Sequence, residues 1–255
     1  VFQTIINYYM SKLVRIIIVL IVFFIPFVCT NAQTGYKPII YKAYINGDMN
    51  KWASVIYTIE KENPTSVEKK TELISYYYGY IGFLLGTKKY ETAQKYMTKG
   101  EKMIDELLKT NTKNATLYAF KGSFIGFRIG ISHFKAITLG SESSANVNKA
   151  YQLDPQNVQA IVDKGNALYH TPKLFGGDKK ESLKLFQKGA KQLELNHQTK
   201  DNWFYLNVLT LLARNYESLE QYEQAKQTYE KILHFEPDYL WVKNELYPAL
   251  KAKMN

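Results

Sequence analysis

The spacing of small and apolar residues near the C-terminus constrains most strongly how this chain can fold. In "YEQAKQTYEKILHFEPDYL" (residues 222–240), Ala225, Tyr229 and Ile232 fall on one face of a helix, and Pro237 ends that helix. Upstream of it, on the other side of a short turn, lies another helix with an apolar face. A small residue at the contact lets two antiparallel helices approach closely. The stretch therefore predicts the second half of a helical hairpin.

The same intervals recur upstream. The corresponding residues of the earlier second helices are Trp52, Ile56, Ile59 and Pro64; Ala93, Met97 and Gly100; Ser143, Val147, Ala150 and Pro155; and Ser182, Phe186 and Gly189. The helices that precede the last four copies carry small contact residues at Gly79, Gly122, Gly165 and Ala213. A period of this kind is typical of helical-repeat proteins. The sequence predicts an all-α solenoid of about five helical hairpins.

These markers resemble the tetratricopeptide-repeat family, whose unit of about 34 residues carries tryptophan, leucine-glycine and tyrosine, then alanine, phenylalanine and proline. The unit at 206–239 fits nearly every marker, and the other units fit in part. We assign residues 33–237 to a repeat domain of this type. Residues 238–255 are expected to form a helix that caps the stack through Leu240, Trp241, Leu246 and Leu250.

The N-terminal segment has the order of residues found in a secretory signal peptide. Lys12 and Arg15 precede an apolar run over residues 16–28. Small residues then lead to an expected cleavage site after Ala32. We expect residues 1–32 to comprise upstream translation before Met10 and a cleaved leader. The run is shorter than the roughly 20 residues of a membrane-spanning helix.

Lipid attachment at Cys29 is the alternative to simple cleavage, but Val28 is bulkier than the small residue expected before a lipidated cysteine. Export would place the protein in the periplasm or outer envelope of a Gram-negative bacterium. The stretch "PKLFGGDKKESLKLFQKG" in such a chain resembles exported tetratricopeptide proteins, some of which are linked to solute transporters.

Charge suggests the kinds of surface that the protein meets. Losing Lys12 and Arg15 with the leader lowers the formal net charge from +10 to about +8. Such a charge favours anionic envelope surfaces or acidic proteins. Nucleic acid is not expected as a partner outside the cytoplasm. A lysine-solvated surface with no specific acidic ligand is the simpler alternative.

The sequence offers no pattern typical of a catalytic, metal or cofactor site. The four histidines, His133, His170, His197 and His234, are widely separated and form no metal-binding pair. No nucleophile elbow or phosphate-binding loop is present, and Gly176-Gly177 lacks the rest of such a loop. We therefore expect a protein that is not an enzyme and needs no cofactor or metal.

The resemblance implies that the first helix of each hairpin lines a concave groove that receives a protein or peptide. The positions beside the small contact residues are Tyr76, Tyr80, Phe83, Ser123, Phe127, Arg128, Asn166, Tyr169, Asn207, Arg214 and Glu217. Aromatic rings supply contact area and arginine binds carboxylates. Several of these residues could instead pack between neighbouring units, and the register is least certain in the second and third units.

Two further features have alternative interpretations. The glycines at 79, 82, 86, 122, 126 and 130 could line a ligand path, although close helix packing explains glycine more simply, especially at Gly79 and Gly122. The loop 172–178 could present Leu174 and Phe175 to a partner. Alternatively, Phe175 folds back over the hairpin while Asp178 caps the next helix.

These observations favour an exported, non-catalytic scaffold that binds a protein or peptide in its groove. The first alternative is a periplasmic protein that holds a small solute for a transporter, and a closed, tyrosine-lined cavity would favour it. The second is a structural envelope component that uses its positive charge on anionic lipid.

Overall fold

Residues 35–254 are described by the computed structural model, and within that range every regular element is a helix. The leader predicted for residues 1–32 lies outside the described residues, so export stays a prediction. None of the helices within 35–254 combines the length and apolar character needed to cross a membrane.

Ten helices of this range pair as five consecutive antiparallel hairpins. The pairs are α1 (Tyr36–Ile45) with α2 (Met49–Glu62), α3 (Val67–Gly86) with α4 (Tyr90–Leu108), α5 (Ala115–Ile131) with α6 (Ala136–Leu153), α7 (Val158–His170) with α8 (Lys179–Leu195), and α9 (Trp203–Ser218) with α10 (Tyr222–Phe235). Each of the first four hairpins also packs against the next one through at least one pair of helices. The predicted all-α solenoid of five hairpins is confirmed.

Polar side chains start several helices where the sequence provides a short acceptor. Ser66 Oγ accepts a hydrogen bond from the Lys69 N–H at 3.2 Å, and Asn157 Oδ1 accepts one from the Ala160 N–H at 3.0 Å. Asp178 Oδ1 accepts from the N–H groups of Lys180 and Glu181. These bonds satisfy donors that a helix leaves unpaired at its first turn. The expected capping role of Asp178 is confirmed.

Small residues lie where helices approach most closely, within one hairpin at Gly122 and between two hairpins at Gly79. A Cβ added at Gly122 would lie 2.5 Å from Val147 Cγ2 and 2.9 Å from the Ser143 carbonyl oxygen. One added at Gly79 would lie 2.7 Å from the Trp52 ring. Both positions require glycine for packing, as predicted. The glycines at 82, 86 and 130 have no such neighbours within 4 Å, so contact between helices does not explain them.

The first hairpin touches the last one as well as its neighbour in sequence. Helix α1 packs against α9. The Tyr41 hydroxyl donates to Glu236 Oε2 at 2.8 Å, and the rings of Tyr44 and Tyr239 are 5.1 Å apart. A simple linear solenoid has contacts only between neighbouring repeats. Here the two ends of the repeat array are joined by side-chain contacts.

The cap consists of a π-helical turn, Val242–Leu246, and the final helix α11 (Tyr247–Met254). Val242 and Leu250 of the cap are buried, as is Tyr239 just before it. Leu246 packs at the margin of this core. Leu240 and Trp241, which precede the π turn, keep more than a third of their surface exposed and contribute less to the cap than expected.

Candidate functional site

Aromatic side chains fill the interior where the first helices of several hairpins meet. The rings of Trp52 and Trp203 are 5.1 Å apart, and the ring of Tyr44 is 5.7 Å from that of Trp203. Tyr78 packs edge-on against Phe204 at 6.4 Å. Because these residues come from the first, second and fifth hairpins, the chain's own side chains occupy the centre of the expected groove.

A buried polar cluster lies beside these rings and centres on Asp163. The Tyr78 hydroxyl donates to Asp163 Oδ1 at 2.8 Å, and the Gln159 amide donates to Oδ2 at 2.9 Å. Asn166 donates to the Tyr78 hydroxyl oxygen at 3.1 Å, and Ser123 hydrogen-bonds the carboxyl group. Three first helices, α3, α5 and α7, are therefore joined through one carboxyl group.

The environment of Asp163 favours its protonated form. Its exposed fraction is 1%, and burial raises the pKa of the carboxyl group to about 7. Hydrogen bonds with Gln159 and Tyr78 act in the opposite direction, with a smaller effect. Burial also raises the pKa of Tyr78 well above its usual value, so the phenol keeps its proton and donates. The cluster is a structural connection that is sensitive to pH.

The sequence analysis did not single out Asp163. In "VQAIVDKGNALYH" it directly follows Ile161 and Val162 and lies two residues before the contact residue Gly165. All four residues are buried. An acidic side chain that interrupts a buried apolar run usually has a specific partner. That local pattern could have identified it.

Five of the residues predicted for the groove lie in or around the packed interior. Tyr76 is buried and donates to Glu72 at 2.6 Å. Phe127 packs on Tyr78, with ring centroids 5.3 Å apart. Asn207 Oδ1 lies 3.4 Å from the Tyr44 hydroxyl, which donates to it. Ser123 and Asn166 belong to the Asp163 cluster.

Of three other predicted residues, Tyr80 and Arg128 contact helix α4 of the second hairpin, and Phe83 stacks beside Tyr80. Tyr80 meets the ring of Tyr96 edge-on at 5.1 Å, and Phe83 stacks beside Tyr80 at 6.1 Å. Arg128 forms a two-point ion pair with Glu101. The guanidinium of Arg128 thus has a carboxylate partner within the protein and connects the second and third hairpins.

The remaining predicted residues lie near one edge of the fourth and fifth hairpins. Glu217 accepts a hydrogen bond from the Tyr229 hydroxyl at 2.7 Å and pairs with Lys253 at 2.9 Å. Tyr169 packs edge-on against the His170 ring at 4.9 Å. Arg214 is exposed, and within residues 35–254 its guanidinium forms no hydrogen bond or ion pair. This edge brings a partly buried tyrosine ring near an exposed arginine that has no ion-pair partner among the described residues.

A pocket of about 590 Å³ opens at this edge. We call it the edge pocket. It is lined by Tyr169, His170, Thr171, Pro172, Lys173, Gly177, Asp178, Lys179, Lys180 and Leu219. The loop between α7 and α8 forms one wall, and the end of α9 contributes Leu219. The inserted residues of the fourth unit therefore create the pocket.

Positive charge dominates the edge pocket. Partial desolvation lowers the pKa of His170, and the charges of Arg214 and Lys179 lower it further. The Nζ of Lys179 lies 5.5 Å from the centre of the Tyr169 ring. The single acid of the lining, Asp178, already caps α8 through its carboxylate. Several cations near one aromatic ring are suited to holding a carboxylate ligand.

Phe175, at the tip of the same loop, does not fold back over the hairpin. It is 75% exposed and its neighbour Leu174 is 88% exposed. The turn Lys173–Phe175 is closed by backbone hydrogen bonds, including one from the Gly177 N–H to the Pro172 carbonyl oxygen. The backbone of the turn therefore holds these two side chains outward.

No cluster of three or more histidine, cysteine, aspartate or glutamate side chains suited to a metal ion occurs within residues 35–254. The described part of the chain is a helical-repeat array of tetratricopeptide-like architecture, with a packed interior and a basic pocket at one edge. This assignment to the helical-repeat class follows from the paired helices and their small contact residues.

No known family profile matches the chain, and none of the curated proteins is significantly similar to it. Among solved structures that match is the crystal structure of YrrB, a TPR protein with an unusual peptide-binding site. The two sequences are 16% identical, the TM-score is 0.39, and the match covers 88% of this chain and 95% of that one. The fold assignment rests on this chain's own hairpins, and nothing about the YrrB binding site is transferred to it.

Proposed function

We propose that this protein is a non-catalytic scaffold that binds an acidic peptide segment of a protein partner in the edge pocket. The observation that carries the proposal is the exposed Arg214 near the lining residues His170 and Lys179, with no ion-pair partner of its own among the described residues. The carboxylate of Glu217, one turn further along α9, is engaged by Tyr229 and Lys253. A carboxylate from a partner would take two hydrogen bonds from the guanidinium. Tyr169 would supply contact area.

The arrangement of the tyrosines favours a peptide over a small solute. A solute-holding protein would need a cavity between the helices, and here Tyr44, Tyr76 and Tyr78 contribute side chains to the packed interior. The edge pocket lies at the surface and can receive one end or one turn of an extended chain. An envelope location, which rests on the leader predicted for residues 1–32, would supply exported acidic proteins as partners.

We expect acidic peptides to bind more tightly than neutral or basic ones. Three short fluorescein-labelled peptides would be compared by fluorescence anisotropy, identical except for glutamate, glutamine or lysine side chains. Arg214→Ala and Tyr169→Ala should each weaken binding of the glutamate peptide by about tenfold, which corresponds to about 1.4 kcal/mol. The loss would report the carboxylate contact and the ring contact separately.

Lys113→Ala is the matched control for loss of charge. Lys113 is exposed in the turn between α4 and α5, a connection at the opposite edge from the turn between α7 and α8. This substitution should weaken binding of the glutamate peptide less than twofold, because it removes only a long-range attraction. Equal losses for Lys113→Ala and Arg214→Ala would mean that net charge, and not the edge pocket, attracts the peptide.

A further inference from the structure

Two neighbouring turns expose the most solvent-accessible large apolar side chains of residues 35–254. Phe134 is 87%, Ile137 86%, Leu174 88% and Phe175 75% exposed. The first two lie where α5 joins α6, and the other two where α7 joins α8. We call these four residues the apolar rim. Exposed apolar side chains grouped in this way are typical of surfaces that bind a partner or a membrane.

The two turns lie at the same edge of the stack. Each joins the first helix of a hairpin to the second, and first helices of successive hairpins run in the same direction. Helices α5 and α7 pack against each other, which makes their carboxyl ends neighbours. The equivalent turn of the second hairpin is short and polar, with Thr87, Lys88 and Lys89. The rim is therefore a local feature of the third and fourth hairpins.

Both turns have defined backbone structure. The Lys135 N–H donates to the Ser132 carbonyl oxygen at 2.9 Å. In the other turn, the Phe175 N–H donates to the Pro172 carbonyl oxygen at 2.9 Å. Each segment forms a 3-10 turn, so the apolar side chains project from fixed positions. Presenting them to a partner requires little ordering of the backbone.

The charges around the rim indicate what it contacts. Lys135 lies between Phe134 and Ile137, and Lys173 precedes Leu174, with Lys179 and Lys180 following. The one carboxylate in these two segments, that of Asp178, is engaged in capping α8. Aromatic and aliphatic tips among lysines match a bilayer surface, where apolar groups enter the headgroup boundary and lysines meet anionic phosphates.

We propose that the apolar rim attaches the protein to an anionic lipid bilayer, with Phe134, Ile137, Leu174 and Phe175 inserted and the flanking lysines on the headgroups. This inference does not rest on the proposed peptide binding, because it is argued from the rim side chains and not from Tyr169 or Arg214. Attachment by this edge would hold the edge pocket beside the membrane surface.

Sedimentation with lipid vesicles tests the proposal. Residues 35–255 form a compact unit and can be used without the apolar segment at residues 16–28. The vesicles would contain phosphatidylcholine alone or phosphatidylcholine mixed with phosphatidylglycerol. We expect binding to the anionic vesicles only, and a loss of about tenfold or more when the four rim residues are changed together to serine. High salt should also weaken binding.

The matched control is Tyr57→Ser with Leu195→Ser, which removes exposed apolar side chains of α2 and α8 away from the rim. It should bind vesicles like the parent chain. All variants should unfold at similar temperatures, since the changed residues lie outside the core. Unchanged vesicle binding by the rim variant would overturn the proposal. Another outcome is that neither protein binds vesicles while the parent is dimeric and the rim variant monomeric. That result would mean that the rim binds a second copy of the chain instead of a membrane.

Discussion

Changing Trp203 to alanine is expected to lower the free energy of unfolding by about 3–5 kcal/mol. The side chain is buried and lies 5.1 Å from the Trp52 ring and 5.7 Å from the Tyr44 ring. Trp203 begins the fifth hairpin but packs in the core of the first three. Its removal would leave a cavity and also loosen the contact between the two ends of the array. Urea unfolding followed by circular dichroism measures the change.

Trp241→Ala is the matched control, since it removes the same side chain from a position on the cap that is 38% exposed. It should lower the free energy of unfolding by about 1 kcal/mol or less. If both variants lose the same free energy, the contact between the first and fifth hairpins contributes little stability. The aromatic packing of the interior would then contribute little to the free energy of unfolding.

Asp163 is expected to make the protein less stable as the pH rises from about 4 to about 7. In the unfolded chain its carboxyl group loses its proton near pH 3.9, whereas in the folded protein its pKa is about 7. Over this range the folded form therefore holds a proton that the unfolded form has released. Its stabilising contribution is complete below the lower value and is lost as the pH passes the higher one. The total effect is about 4 kcal/mol.

Asp163→Asn isolates this contribution. The amide can still accept from Tyr78 and bond with Gln159, but it does not ionise. We expect the variant to match the parent near pH 3 and to exceed its free energy of unfolding by up to about 4 kcal/mol near pH 8. Urea unfolding at several pH values checks this. Asp105→Asn, at an exposed ion pair with Lys121, is the control.

Parallel pH profiles for the parent and Asp163→Asn would contradict the account of the buried cluster. They would mean that Asp163 is already ionised in the folded protein at low pH, or that water reaches it. A pH dependence that disappears only in Asp163→Asn, and persists in Asp105→Asn, is the result that the burial of this carboxyl group predicts.

The hairpins could be predicted from the sequence because local spacing determines them. Ala225, Tyr229 and Ile232 lie on one helical face and are fully buried, and Gly122 and Gly165 meet the second helices of their own hairpins as expected. Each of these contacts joins residues within one repeat. A periodic pattern contains that information.

Contacts between distant repeats could not be predicted in the same way. Tyr41 reaches Glu236 and Tyr78 reaches Asp163 only because the stack curves enough to bring its first helices together. That curvature arises from small rotations between successive hairpins, which no single repeat encodes. For the same reason, the sequence could not separate groove residues that remain accessible, such as Arg214, from those that the fold engages, such as Arg128.

The most direct test of the central claim is an NMR titration of the His170 imidazole, without and with the glutamate peptide. In the free protein, partial desolvation and the charges of Arg214 and Lys179 lower the pKa of His170. A carboxylate bound in the edge pocket would favour the imidazolium, so the pKa of His170 should rise on binding. If the peptide binds and the pKa of His170 does not change, the binding site lies elsewhere and the proposed function of this pocket is wrong.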